Sequence, residues 1–445
     1  MQPGSAAKDF DCDVLVVGGG PAGSTTAVLL ARLGWAVTLV EKGSHPRFHI
    51  GESLLPMNMP ILDRLGVIDE VRAVGVHKPG ADFPASNERG YNVFRFDKAL
   101  NAAWPNAYQV RRADFDQILI RRAVAEGVTV RQQTRARDIS FDADGVSALL
   151  DTAGGDPGQR IRARYLVDAT GRDTLLGTQL GLKRRHRQHQ SAAIFAHFRD
   201  VERRAGEDAG NISVYRHEHG WLWLIPLTDG ITSIGAVGGA EWLRSRSGSR
   251  EDFLWTVLRG VPGLAQRVAG AGIVGHLHAT GNYSYASTRK SGARWIMVGD
   301  SHSFVDPIFS TGVFLAMHGA ELAAGVIDGA LRDASRERAL QRRYEREIDD
   351  GIERFSWFIY RFTSPGIRYL FANPRNYLGM EQAVISLLAG DVFRDGGVRW
   401  RLTMFRMLYR ITACKLWRET LRHRAARRKH LRDGFSGGTT EQDAA

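Results

Sequence analysis

The feature that most constrains the fold lies near the start, where Asp13-Val14-Leu15-Val16-Val17 runs directly into Gly18-Gly19-Gly20-Pro21-Ala22-Gly23. The β-branched run suits a buried parallel strand. Ser24 through Leu33 is small and apolar and reads as a helix, and Ala36-Val37-Thr38-Leu39-Val40 reads as a second strand ending at Glu41. Gly18, Gly20 and Gly23 fit a GxGxxG pattern, and Glu41 stands 18 residues beyond Gly23. Glycines there permit a tight turn and close approach to a pyrophosphate, whose charge meets the helix N-terminus. An acid closing the second strand can accept from a ribose hydroxyl. Strand, loop, helix, strand and acid in that order predict a dinucleotide-binding unit contacted by Gly18, Gly20, Ala22, Gly23 and Glu41. NAD and FAD share this pattern, and a glycine-rich turn without a nucleotide is the bland alternative.

At 445 residues the chain is long enough for two or three structural units. No basic segment followed by an apolar core opens the sequence, and no apolar run reaches the roughly 18 residues a membrane span needs. Cys12 and Cys414 lie too far apart in sequence for a metal pattern, and no metal site is expected. A reducing, cytoplasmic setting is the natural expectation. The net charge of +12 is local: between Arg401 and Asp433 eleven Lys or Arg face two acids, so that segment carries +9. It reads as a solvated helix face or as a docking surface for an acidic partner such as an acyl or peptidyl carrier protein. No nucleic-acid-binding motif accompanies it.

Further along, Trp221-Leu222-Trp223-Leu224-Ile225-Pro226 alternates so that both indoles share one face of a strand. Alone, such a pair is a packed aromatic ladder. Tyr165 through Arg172 is a strand running into an Asp-Ala-Thr-Gly turn, and Trp295 through Asp300 is another ending in Gly-Asp. Both resemble fingerprints of the para-hydroxybenzoate-hydroxylase-type FAD family, in which Asp300 would bind the ribityl chain and Arg112 would help hold the cofactor. FAD is therefore expected. No second strand–glycine loop–helix unit is present for NAD(P)H, so reduced flavin is expected from a partner flavin reductase.

In that setting the WLWLIP stretch is similar to the WxWxIP signature of flavin-dependent halogenases. Gly51-Glu52-Ser53-Leu54-Leu55-Pro56, Lys78 in His77-Lys78-Pro79-Gly80, the loop Asp306 to Val313 and Leu388-Ala389-Gly390-Asp391-Val392-Phe393 extend the resemblance along nearly the whole chain. Tryptophan halogenases usually carry an acid before the Ser-Thr-Gly of the halide loop, whereas Phe309 stands there. The resemblance is thus closer to the phenol- and pyrrole-type branch, away from free tryptophan.

That resemblance implies an FADH2-dependent halogenase of natural-product biosynthesis. A flavin C4a-hydroperoxide would oxidise chloride or bromide to hypohalous acid, which halogenates an electron-rich phenolic or pyrrolic substrate, free or carrier-tethered. Thr311 and Gly312 would hold the halide, with Pro307 and Gly312 also facing the cofactor. Lys78 would direct or capture the oxidant, and Trp221 and Trp223 would keep organic substrate from the flavin. Lys78 as an ordinary surface lysine is the plain alternative. Phe83, Phe94 and Phe96 could line an aromatic pocket, though ordinary core packing is the better reading. An FAD-dependent aromatic monooxygenase is the competing activity, and a flavin fold that has lost its chemistry is a third reading.

The expected architecture is α/β: a Rossmann-type FAD domain over 9–335 in pieces 9–75, 100–180 and 285–335, with a substrate β-sheet inserted at 181–284. A helical region spans 336–432, strongly basic at 401–432, and a tail at 433–445 lacks apolar residues and is expected to be disordered.

Overall fold

The computed structural model describes residues 10–85, 90–155, 158–372, 374–394 and 396–422. The chain forms two compact units: Met1–Gly75, Val110–Arg185 and Tyr285–Glu353 make one, and Val76–Gln109, His186–Ser284 and Arg354–Ala445 the other. Residues 100–109 therefore group with the second unit, not with the first-unit pieces as expected. The reason is local pairing, since Ala107–Gln109 is the antiparallel partner of Val76–Lys78. The C-terminal region likewise does not stand alone: 336–353 belongs to the first unit and 354 onward to the second.

In the first unit, Trp295–Met297, Gln159–Asp168, Cys12–Val17, Val37–Val40 and Thr129–Arg131 lie side by side, all parallel. Thr134–Phe141 and Val146–Thr152 extend the sheet as an antiparallel pair from Gln159–Asp168. Leu15, Val17, Val40, Ala148, Leu150, Leu166, Leu176 and Met297 build the core on one face. Helix Pro21–Arg32 packs against helix Thr311–Arg332. Gly299 lets them come close, since a methyl there would meet Ala316 at 3.1 Å and Ala22 at 3.3 Å. Thr311–Arg332, with a mean hydropathy of 1.3, is long and apolar enough to cross a membrane by length and composition, yet Glu321 and Asp328 interrupt it and 56% of its apolar window is buried within the chain. That is the behaviour of a core helix.

The second unit is built on a sheet ordered Gly272–Ser287, Lys183–Arg199, Thr232–Gly239, Gly220–Pro226, Ile212–His217, Gly80–Pro84 and Tyr91–Arg95. The pairing of Ile212–His217 with Gly80–Pro84 is parallel. One face packs Ile194, Phe198, Tyr215, Leu222, Leu224 and Ile234 against Leu254 and Leu258 of helix Arg250–Arg259. By alternation the opposite face presents Trp221 and Trp223. Phe83 contacts Phe94, Phe362 and Phe371 at ring separations of 5.3, 5.7 and 5.4 Å, so it and Phe94 are packing residues. Helices Pro365–Ala372, Met380–Leu388 and Val398–Lys415 complete the unit and bound a groove of about 410 Å³ lined mainly by Phe371, Met380, Phe405, Leu408 and Ile411.

Candidate active site

The nucleotide loop is shaped by contacts only glycine tolerates. A methyl on Gly18 (φ +109°) would sit 2.3 Å from the Ala169 carbonyl oxygen, and one on Gly23 would sit 1.8 Å from that of Gly18. Gly20 differs, because the nearest atom to a methyl there is Arg47 Nη2 at 3.9 Å, which leaves that side of the loop open. Helix Pro21–Arg32 starts at Gly20 with no side-chain cap and no acid in its first turn, so its leading N–H groups stay available to an anion.

Glu41 is tied into this loop as well as facing it. Its Oε2 accepts from Gly19 N at 2.8 Å and its Oε1 from Gly43 N at 2.8 Å, with Arg47 Nη2 3.5 Å away. Burial pushes its carboxyl up, but Arg47 and the two amides outweigh this and hold it below the usual carboxylate range. Arg112 grips Asp116 with both Nε and Nη2, at 2.8 and 2.9 Å, and donates from Nη1 to the Ile50 carbonyl at 2.7 Å. Its first effect is therefore to hold the Ile50–Gly51 turn. Burial pushes Asp300 up to about 6 against the pull of Arg172 and Arg112.

Ser310, in the left-handed region, turns the chain from Pro307–Phe309 into helix Thr311–Arg332, which again begins without a side-chain cap or an early acid. Thr311 is buried, and space around Gly312 is open. An open glycine loop, two uncapped helix starts and an acid after each of the strands Val37–Val40 and Trp295–Met297 fit an FAD. They would hold its pyrophosphate and ribose through Gly20, Ala22 and Glu41, and its ribityl side through Asp300. Arg47 and Arg172 would join this set; Arg47 stands in no motif, and Arg172 closes the Tyr165–Arg172 stretch, whose pattern alone gives it no role.

In the second unit, Lys78 is 1% exposed, and its Nζ lies 5.4 Å from the centre of the Phe96 ring. Burial lowers its pKa to about 7. Phe96 N donates to the Pro79 carbonyl at 2.9 Å, which fixes the ring beside the lysine. The LAGDVF segment supports the same stretch: Asn101 Nδ2 donates to Asp391 at 3.2 Å, and Leu100 N to Ser386 Oγ at 2.9 Å. Close approach of Gly210 to the His77 carbonyl, where a methyl would fall 1.7 Å from the oxygen, locks the lysine strand to the turn Gly206–Gly210.

Trp221 and Trp223 are each 5% exposed, with rings 5.7 Å apart and inclined by 47°. Trp223 Nε1 donates to Ser233 Oγ at 3.2 Å, and Phe195 lies 5.7 Å from the Trp223 ring. The pair forms a rigid, hydrogen-bonded wall. The structure thus places the loop residues, Glu41, Arg112, Asp300, Pro307, Thr311 and Gly312 in the first unit, and Lys78, Trp221 and Trp223 in the second.

A parallel sheet carrying a nucleotide loop, in one chain with a second unit that holds a buried lysine strand and a mostly antiparallel sheet bearing an indole wall, defines the class as a flavin-dependent oxidoreductase. Residues 11–354 match the FAD binding domain family. Over 324 residues the chain is 33% identical to a 1H-pyrrole-2-carbonyl-[peptidyl-carrier protein] brominase of Pseudoalteromonas luteoviolacea, covering 72% of this chain and 78% of that one. It is 36% identical over 346 residues to a tryptophan 2-halogenase of Chondromyces crocatus, covering 75% of this chain and 65% of the relative. The solved structure of flavin-dependent brominase Bmp2 superposes with a TM-score of 0.80 at 28% identity, covering 91% of this chain and 99% of that one. The chain belongs to the flavin-dependent halogenases.

Proposed function

We propose that this enzyme uses FAD reduced by a separate reductase, together with chloride or bromide and oxygen, to halogenate an electron-rich phenolic or pyrrolic ring. Bound reduced FAD would activate oxygen and supply the oxidising power that turns halide into hypohalous acid. The observation that carries the reading is Lys78, sealed from solvent beside Phe96 and lowered by burial to about 7. An amine there is poised to exist in both forms near neutral pH. Neutral, it captures hypohalous acid at Nζ; protonated, it donates a hydrogen bond that orients the oxidant.

The first-turn N–H groups of helix Thr311–Arg332, at Thr311 and Gly312, would hold the halide through hydrogen bonds and the positive end of the helix. The packed indoles would exclude bulky organic molecules and water from the oxidant's side of the sheet. A carrier-bound substrate is favoured by the exposed face of helix Val398–Lys415 and the residues after it. Arg410, Lys415, Arg418 and Arg422 there alternate with exposed Met407, Ile411, Trp417 and Leu421, a surface suited to an acidic domain with an apolar patch. Buried Cys12 and exposed Cys414, both free, suit a reducing, cytoplasmic compartment.

The test supplies purified protein with FAD, NADH, a flavin reductase, oxygen and chloride or bromide, and follows small phenols and pyrroles, free and carrier-bound, by mass spectrometry. Halide-dependent products with halogen isotope patterns, absent in Lys78→Ala that still binds FAD, are expected. A product gaining oxygen without regard to halide would replace this reading with an aromatic monooxygenase.

A further inference from the structure

Strand Ile212–His217 pairs with the tryptophan strand so that Arg216 stands opposite Trp221, and Val214 opposite Trp223. Residues opposite one another in an antiparallel pair share a face, so a guanidinium sits on the indole side of the sheet. Its central carbon lies 4.3 Å from the centre of the Phe362 ring. Its Nε and Nη2 are shut off from solvent and, among the described residues, have no hydrogen-bond partner. Burial lowers its pKa to about 9, and among the described residues the neighbouring charge that acts on it is another cation, Arg368.

Other arginines show how this chain satisfies such a group. On the opposite face of the same sheet, Arg267 donates to Ser213 Oγ at 3.0 Å, Tyr215 Oη at 3.1 Å and the Glu202 carbonyl at 2.8 Å. Arg112 uses Nε and Nη2, the same two nitrogens left bare in Arg216, to clasp both oxygens of Asp116. That edge of a guanidinium matches a planar oxyanion two bonds at a time. Leaving it buried without a partner costs free energy, which an arriving anion would recover.

We propose that Arg216, reinforced by Arg368, is an anion-recognition site on the tryptophan face that takes an oxyanion of the organic substrate. The anion is the carboxylate of a free aromatic acid or the phosphodiester of a carrier's pantetheine arm. The proposal rests on this face being the substrate face of the halogenase reading. Since both nitrogens are covered, the ligand must displace the side chains over them, and affinity reports the balance.

Calorimetric titration of the FAD-loaded protein tests this without halide or turnover, so a protein that hydroxylates instead would still show the effect. The probes are pyrrole-2-carboxylate and 4-hydroxybenzoate against their primary amides, and pantetheine 4′-phosphate against pantetheine. At least one anion is expected to bind tenfold or more tighter than its neutral partner, with the preference lost in Arg216→Met and partly kept in Arg216→Lys. Preference for the carboxylates assigns the free acid, and preference for the phosphate assigns the carrier arm. Equal affinity within every pair in the parent protein, or a preference that survives Arg216→Met, would overturn the site. The parent comparison stands even if a variant fails to fold.

Discussion

Gly235 and Trp223 face each other across paired strands, and the indole fills the space a side chain at Gly235 would need: a methyl there would fall 2.2 Å from Trp223 Cζ2 and 2.7 Å from Phe195 Cβ. The tryptophan wall is therefore set by the neighbouring strand as much as by its own. Gly235→Ala is expected to tilt the indole, break its 3.2 Å bond to Ser233 and destabilise the second unit by about 1–3 kcal/mol. Denaturant melts and tryptophan fluorescence check this, and an unchanged spectrum would show that the wall adapts.

Lys78 makes two linked predictions. Lys78→Met should lower halogenation by about 10²-fold or more with the FAD affinity kept. Burial depresses the lysine below its unfolded value, so between pH about 7 and 10 the unfolded chain binds the extra proton and stability rises with pH. Measured against the parent, Lys78→Met should thus be relatively more stable at pH 6.5 than at pH 10, by up to about 4 kcal/mol between the two conditions. Thermal melts at both pH values decide it.

In the nucleotide loop, Gly20 and Gly23 should respond differently to alanine. At Gly23 the methyl collides with backbone at 1.8 Å, so Gly23→Ala should disrupt the unit. At Gly20 there is room, so Gly20→Ala should fold with a near-parental melting temperature yet bind FAD at least tenfold more weakly. Equal FAD affinity would place the pyrophosphate elsewhere.

Among the described residues, Arg112→Met leaves the fully buried Asp116 with Arg47, 3.6 Å away, as its remaining ion-pair partner. A cost of about 3–5 kcal/mol is expected, together with loosening of the Ile50–Gly51 turn. Urea titration measures the first, and protease sensitivity near residue 50 the second.

For the carrier surface, reversing Arg410, Arg418 and Arg422 to Glu should weaken binding of an acidic carrier protein by tenfold or more at low salt, and less at high salt. The basic cluster Arg427, Arg428 and Lys429 lies outside the described residues, as does the tail at 433–445. Charge reversal at Arg427, Arg428 and Lys429 is expected to act in the same direction. An affinity indifferent to both sets would remove the docking role.

Much of this was legible locally. The GGGPAG turn with Glu41, the strand ends at Asp168 and Asp300 and the alternation of Trp221 with Trp223 are short-range patterns, because steric demands of a turn and the two-residue repeat of a strand act over few residues. Arg216 left a signal too, since a tight turn at His217–Gly220 would bring it opposite Trp221, but nothing local says that its hydrogen bonds go unmade.

The sequence by itself determined the flavin fold and the family, and it singled out Lys78, Trp221 and Trp223 as candidates, since backbone sterics and side-chain chemistry are written residue by residue. Only the tertiary structure decided that Lys78 is sealed beside Phe96, that Asn101 is held by Asp391, and that Val76–Gln109 and the chain from Arg354 belong to the second unit. Burial, desolvation and long-range pairing depend on which distant segments meet, and no local pattern encodes that.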